Sequence, residues 1–215
     1  IETLHEKFPE YAGYFVCVEQ TRRGARKMHE LEEKGELKCA VVNVAESWAK
    51  LEHESPMIGH SVVLEIGRKL DRLKTYGVDT GKEACVVGAG SVGRETIDAL
   101  LERGYTVHVY DKDPSRLEGL PEGVIGHKDL TDALPHAELL VSCVGKETLK
   151  ESDTALLPDG AILVNAASSN DELNPDVLLP FSPASSVRDE DGDIWTKFRG
   201  KPVCVGYGQA EAHSD

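Results

Sequence analysis

Residues 83–114 read EACVVGAGSVGRETIDALLERGYTVHVYDKDP, and this stretch decides the fold. In order it holds a short apolar run, a Gly-x-Gly-x-x-Gly turn, a helical segment, a second β-rich run and an acidic residue. A lone glycine turn is a weak signal, because glycine is common in loops; the ordering carries the information. Residues 84–87 are apolar and valine-rich, as expected of a parallel strand covered on both faces. Gly88 allows the tight turn out of that strand. Gly90, without a Cβ, lets a pyrophosphate approach the backbone, and Gly93 lets the next helix pack close to the sheet. Residues 91–102 read as that helix, with Val92, Ile97, Leu100 and Leu101 on or near one face. The free N–H groups of its first turn, opened by Ser91 and Val92, suit phosphate. Residues 106–110 are the second strand. Asp111 at its end stands at about the 20-residue spacing of a carboxylate that accepts ribose hydroxyls. A carboxylate there repels a 2′-phosphate, so NAD is expected rather than NADP; Lys112 weighs the other way. The plain alternative is an α/β unit with a glycine turn and no ligand.

Composition narrows the function classes. At 215 residues the chain can bury one good core, or one and a fraction. It carries 38 acidic against 24 basic residues, a net charge of −14, which argues against nucleic acid or an anionic membrane as partner. An anionic cofactor must then be held by backbone amides and a helix dipole, which the glycine turn supplies. The five cysteines (Cys17, Cys39, Cys85, Cys143, Cys204) are odd in number and show no Cys-x-x-Cys spacing. Most sit in apolar runs and read as small buried thiols of a reducing, cytoplasmic compartment. The eight histidines are scattered without ligand spacing, so no metal is expected. There is no run of ~18 apolar residues for a transmembrane helix and no visible signal peptide. The chain opens at Ile1 rather than Met, as a fragment or trimmed chain would.

The remaining elements alternate. Polar residues 1–12 lead into a strand at 14–18; a charged helix follows at 21–34 and a strand at 37–44. Residues 1–57 are expected to be a partial N-terminal α/β segment, the remnant of a substrate domain, too small for an independent core. An amphipathic helix at 61–74 joins it to residues 58–215. After Asp111 come a short helix capped by Asp113-Pro114, a weak strand at 124–125, a helical turn at 130–134, strands at 138–144 and 161–166, a short helix at 151–157, a helical turn at 176–179 and a hairpin around Arg199-Gly200. This alternation with short loops means an α/β class fold: a doubly wound parallel sheet, the Rossmann NAD-binding fold.

Several blocks between about Glu19 and Gly208 resemble the adenosylhomocysteinase (S-adenosyl-L-homocysteine hydrolase) family. Glu19-Gln20-Thr21-Arg22-Arg23-Gly24 sits where that family has Glu-Glu-Thr-Thr-Thr-Gly. Val42-Asn43 looks like its Val-Asn, and Gly59-His60-Ser61 sits near its Gly-x-Ser. Gly88-Ala-Gly-Ser-Val-Gly93 looks like its glycine turn, and Asp111-Lys-Asp-Pro114 its Glu-Ile-Asp-Pro. Val144-Gly145 falls on its Thr-Gly, and Pro158–Asn165 on its strand ending in Asn, with Glu172-Leu173 following. The resemblance implies tightly held NAD that cycles while a small-molecule substrate loses and regains a hydride, and it suggests a homo-oligomer. It implies that Thr21 contacts NAD. Gly88, Gly90, Ser91, Val92, Gly93 and Asp111 would bind its diphosphate and ribose, and Val144, Gly145 and Asn165 would line its outer face.

The catalytic part of the resemblance rests on Lys50 and Glu54, where the family's Lys-x-x-x-Asp-Asn falls. An alignment without gaps from Asn43 puts Trp48 and Glu52 there instead. A four-residue spacing places both groups on one helical face, which is also how a plain surface ion pair is built. His60 reads either as a proton carrier beside the nicotinamide or as an exposed histidine near a helix start. Cys143 either lines the nicotinamide pocket or is a small core thiol. Gln20 replaces a substrate-binding glutamate of the family, and Asn165-Ala-Ala-Ser168 replaces its Asn-x-Gly-His. Two readings therefore stand beside the first: another NAD(P)-dependent oxidoreductase, and a non-catalytic NAD-sensing module.

Overall fold

A computed structural model describes residues 2–75, 81–145, 148–166, 172–173, 187–188, 194–198 and 201–207, the side chains of 2–4 and of those beyond 173 excepted. The chain divides into two compact units, residues 1–54 and 55–215.

The N-terminal unit opens with helix α1 (Glu2–Lys7) and a 3-10 turn (Ala12–Tyr14), where sequence reading expects only a polar lead-in. A small β-α-β unit follows: β1 (Val16–Glu19), α2 (Arg22–Glu33) and β2 (Ala40–Asn43). The two strands pair in parallel, Val16 with Ala40 through Glu19 with Asn43. Thr21 starts α2 as its N-cap, its hydroxyl accepting the Gly24 N–H at 2.9 Å. A π-helical turn, Lys50–Glu54, closes the unit.

The second unit opens with α3 (Ser55–Thr75), which begins six residues before the expected 61–74 helix. Pro56 does not stop it, because proline is tolerated in a first turn whose N–H groups have no helical partner. Then come β3 (Glu83–Val87), α4 (Ser91–Glu102), β4 (Thr106–Tyr110), a 3-10 turn (Pro114–Leu117), β5 (Ile125–His127), α5 (Leu130–Ala133), a 3-10 turn (Leu134–His136), β6 (Leu139–Ser142), a 3-10 helix (Glu151–Leu156) and β7 (Ile162–Asn165). Beyond them are β8 (Val187–Arg188), β9 (Ile194–Phe198) and β10 (Lys201–Tyr207). The expected helical turn at 176–179 lies outside the described residues.

These strands form one sheet in the order β5-β4-β3-β6-β7-β10-β9-β8. Strands β3 to β7 are parallel, β10 joins β7 in parallel, and β9 and then β8 close the edge antiparallel. The first six positions follow the doubly wound order of a Rossmann fold, with direction of travel reversing between β3 and β6.

The period of two in β3 builds both faces. Ala84 and Val86 join Val63, Ile66 and Leu70 of α3 and Ile97 and Leu100 of α4 in one core cluster. Cys85 and Val87 join Ala133, Leu134, Leu140, Leu149, Leu163 and Leu173 in a second cluster on the opposite face. Burying each of these larger side chains contributes about 2 kcal/mol. Helices and turns thus cover both faces, which is why β3 and β6 read as unbroken apolar runs.

Candidate functional site

The reversal of strand order opens a crevice at the carboxyl ends of β3 and β6, and the glycine turn lies there. Gly88 leaves β3 with φ +99°, and its N–H donates to the Tyr110 carbonyl at 2.8 Å. A Cβ on Gly88 would lie 3.0 Å from Val144 Cγ2 and 3.1 Å from the Cys143 carbonyl, so the turn presses against the end of β6. A Cβ on Gly93 would lie 1.8 Å from the Gly88 carbonyl oxygen. No side chain fits there, and α4 can start this close to the sheet only because position 93 is glycine. Gly90 caps α4 with extended backbone (φ −73°, ψ −171°), and a Cβ there would meet only Arg116 Nη1, at 3.4 Å. The backbone at Gly90 is therefore open while its neighbours are packed. Ser91 and Val92 form the first turn of α4 beside it, and both are half-buried. An open, Cβ-free backbone at the head of a 12-residue helix fits a diphosphate, since the helix offers unpaired N–H groups and a positive dipole end.

Asp111 ends β4 and is buried at 7 % exposure. Its Oδ2 accepts the Ala89 N–H at 2.8 Å, and its Oδ1 accepts the Asp113 N–H at 2.9 Å. The carboxylate thus ties the glycine turn to the β4 loop. Each oxygen keeps a second lone-pair direction for a ligand hydroxyl. Arg116 Nη1 stands 3.8 Å from Asp111 Oδ2 and is held by the 114–117 turn, which Asp113 caps through the Ser115 N–H at 3.1 Å. This guanidinium beside the expected ribose position is a feature that sequence reading passed over. Arg94 fastens the same loop, donating to the carbonyls of Arg116, Glu118 and Gly119.

Across the crevice, Val144 is exposed at 36 % and Gly145 takes φ +72°. Asn165 ends β7 at 2 % exposure, in register with Ser142 of β6, whose hydroxyl bonds Thr148 Oγ1 at 2.7 Å. The Gly145 N–H donates to Glu172 Oε1. Glu172 is fully buried, and its Oε2 has no hydrogen-bond partner among the described residues. Burial pushes its carboxyl above the usual range, against hydrogen bonds that lower it. In the sequence Glu172 is only a position after the strand; a single charged residue there carries no signal of burial. Cys143 lies beneath the turn, its Sγ 3.9 Å from Thr96 Oγ1, and burial, with Glu172 second, pushes its thiol up to about 12. It is a protonated thiol at neutral pH.

The expected catalytic residues fall in both units. His60 lies on α3, its Nδ1 3.0 Å from the Pro56 carbonyl and its Nε2 3.8 Å from Glu102. Glu102 is the last residue of α4, and the glycine turn lies at the other end of that helix, about 16 Å away along its axis. The geometry brings His60 to an exposed ion pair, not to the turn. Within the N-terminal unit, Lys50 Nζ meets Glu54 Oε1 at 2.5 Å along the π-helical turn. There too, the backbone N–H and the hydroxyl of Thr21 each donate to Glu19 Oε1 at 2.7 Å, and those two bonds, the backbone one first, hold the Glu19 carboxyl below its usual range.

Two expectations about side chains need correction. Cys17, Cys39 and Cys143 are not fully buried: all three are half-buried, and the sulfurs of Cys17 and Cys39 lie 3.9 Å apart. The histidines are not all scattered. His108 of β4, His127 of β5 and His136 converge on the face of the sheet opposite α3 and α4, with His108 Nδ1 2.8 Å from His127 Nε2. The His108 and His136 rings stack at 4.0 Å with 6° between planes, and Glu83 Oε2 meets His136 Nδ1 at 3.1 Å. Burial first, and the neighbouring rings second, hold His108 and His127 below the usual imidazole range. Strand register makes this cluster, and linear spacing cannot show it.

Comparison with known proteins agrees with the crevice. Residues 79–180 match the model of a family described as "Putative NAD(P)-binding". The chain is 29 % identical over 207 residues to an uncharacterized protein, MT0113, of Mycobacterium tuberculosis strain CDC 1551 / Oshkosh, and equally to Rv0104 of strain ATCC 25618 / H37Rv. Each alignment covers 88 % of this chain but 37 % of the relative, so the chain spans little more than a third of the length of these curated relatives. Neither the family description nor these two names mentions an adenosylhomocysteinase. Among the described residues no helix is long and apolar enough to cross a membrane. The second unit is a Rossmann-type α/β unit whose glycine-turn segment is similar to an NAD(P)-binding family.

Proposed function

We propose that this chain binds NAD at the crevice between β3 and β6 and serves an adenosylhomocysteinase-like enzyme acting on a small hydroxyl-bearing substrate. The observation that carries the cofactor assignment is the pairing of open backbone at Gly90 with the buried Asp111 carboxylate, which holds Ala89 of the same turn. The diphosphate would sit on the first-turn amides of Ser91 and Val92, and Asp111 would accept the adenosine ribose hydroxyls. Asp111 would repel a 2′-phosphate, and Arg116 would be its counter-charge. Gly145 and Asn165 would face the nicotinamide side. Bound NAD supplies reversible hydride transfer. The resemblance implies that Lys50 and Glu54 would be the groups that work on the substrate hydroxyl.

A second reading has an observation of its own. His60, the expected proton carrier, contacts Glu102 at the opposite end of α4 from the glycine turn. That favours an NAD-sensing module that keeps the nucleotide site. Titration calorimetry with NAD and NADP tests the shared part. Saturable NAD binding at least tenfold tighter than NADP is expected, and absence of binding to either overturns both readings. Appearance of NADH absorbance on mixing NAD-loaded protein with adenosine-type hydroxyl substrates separates the enzyme from the sensor.

A further inference from the structure

We propose that Glu83, His108 and His136 form a binding site for a divalent transition-metal ion of the zinc type. Glu83 opens β3, His108 is the middle residue of β4, and His136 ends the 3-10 turn after α5. One ligand atom from each lies within 4.8 Å of the other two. A tetrahedral ion with bonds of about 2.0–2.1 Å needs its ligands roughly 3.4 Å apart. The Glu83 Oε2 to His136 Nδ1 edge, at 3.1 Å, already has nearly that length. The other two edges are no longer than 4.8 Å, and the stacked His108 and His136 rings must tilt so that each nitrogen lone pair meets the ion. Glu83 and His136 are the ligands that can move, since their side chains are 45 % and 41 % exposed. His108, 3 % exposed, is the fixed ligand.

The surroundings of His108 suit this role. A metal-bound histidine commonly has its second ring nitrogen tied by a hydrogen bond, which sets the tautomer and the ring orientation. Nδ1 of His108 is tied to Nε2 of His127. With His108 as donor in that bond, its Nε2 lone pair is left for the ion. Two imidazoles and one carboxylate favour zinc, cobalt, nickel or copper over magnesium or calcium, which take oxygen ligands. Three protein ligands leave one position for water. The site lies on the sheet face that carries α5, and Glu83 stands at the opposite end of β3 from the glycine turn, about 13 Å along the strand. It is therefore separate from the nucleotide crevice. A bound ion would clamp the start of β3, the middle of β4 and the 134–136 turn together.

The test is calorimetric titration of chelator-stripped protein with zinc chloride, repeated with cobalt chloride and read by visible absorbance. One ion per chain is expected, with the intense cobalt bands of a tetrahedral site. Glu83→Gln and His136→Ala change half-exposed side chains and should each weaken zinc affinity at least tenfold. His29→Ala is the control, because His29 with Glu32 and Glu33 on α2 is the kind of helix-surface group that binds zinc nonspecifically. That variant should leave the affinity unchanged. No zinc binding at micromolar concentration overturns the site. So does wild-type affinity in His136→Ala, or loss of the binding in His29→Ala.

Discussion

Two parallel sheets occur in this chain, and they are built differently. In the second unit all four residues of β6 and all four of β7 are buried, as are Ala84 to Val87 of β3. In the N-terminal unit β1 alternates between exposed and half-buried residues, β2 is exposed but for the half-buried Val41, and none of their eight residues is buried. Val16, Val18 and Val42 are exposed at 67, 62 and 49 %. A parallel sheet draws its stability from helices on both faces. The larger sheet has them: α3 and α4 on one side, α5 and the 3-10 turns on the other. The smaller one has two strands and one 12-residue helix, of which only Leu31 is buried. Covered strands fix the glycine turn after β3 beside the end of β6, where Val87 pairs with Ser142. Sparse, uncovered strands leave local hydrogen bonds, such as the Thr21 cap, to hold the N-terminal unit.

Changes that break this difference rank by how much packing they disturb. The largest effect is expected from Gly93→Val, whose branched side chain starts 1.8 Å from the Gly88 carbonyl oxygen. It should destabilise the second unit by about 3 kcal/mol and abolish NAD binding, read by urea unfolding and calorimetry. Next is Asp111→Ala, which leaves the buried Ala89 N–H without its acceptor and releases Arg116. A cost of about 2 kcal/mol is expected. NAD affinity should fall, while the ratio of NADP to NAD affinity rises.

Glu172 sharpens the contrast through pH. Its carboxyl is raised by burial, so the folded state binds its proton more tightly than the unfolded state does. Its stabilising contribution is complete below the ordinary glutamate value of 4.5 and is lost as pH rises through the raised folded value. Thermal melts across pH 4 to 8 should show this loss in the wild type and not in Glu172→Gln. In the N-terminal unit, Thr21→Ala should cost α2 about 1 kcal/mol of local stability, seen as faster hydrogen exchange at Gly24 and little change elsewhere. The smallest perturbation is chemical labelling. With iodoacetamide at pH 8, Cys17 and Cys39, half-exposed, should react first. Cys85, buried and pushed up to about 12 by that burial, should stay protected until the second unit unfolds.

The residues that were legible in the sequence are those whose meaning is local. Residues 91–102 and 106–110 read as a helix and a strand, and the structure has both with the same limits. The apolar periodicity shows α3 only from 61, whereas the helix starts at Ser55, with Pro56 in its first turn. The placement of Gly88, Gly90, Gly93 and Asp111 around one turn follows from the strand–turn–helix–strand order. His60 could not be placed from spacing, because which end of α4 it meets depends on how α3 packs against α4.

The sequence by itself determined the alternation of strands and helices, the glycine turn and the acidic residue after the second strand. These arise from periodicity, φ/ψ preference and chain spacing, which are short-range properties. Only the tertiary structure decided what parallel register brings together. It set Arg116 beside Asp111, buried Glu172 against Gly145, and gathered Glu83, His108, His127 and His136 on one face of the sheet. Those four come from positions up to 53 residues apart, and a linear pattern holds no trace of them. Strand pairing and the closing of the 134–136 turn over the sheet create the neighbourhood, and with it the chemistry.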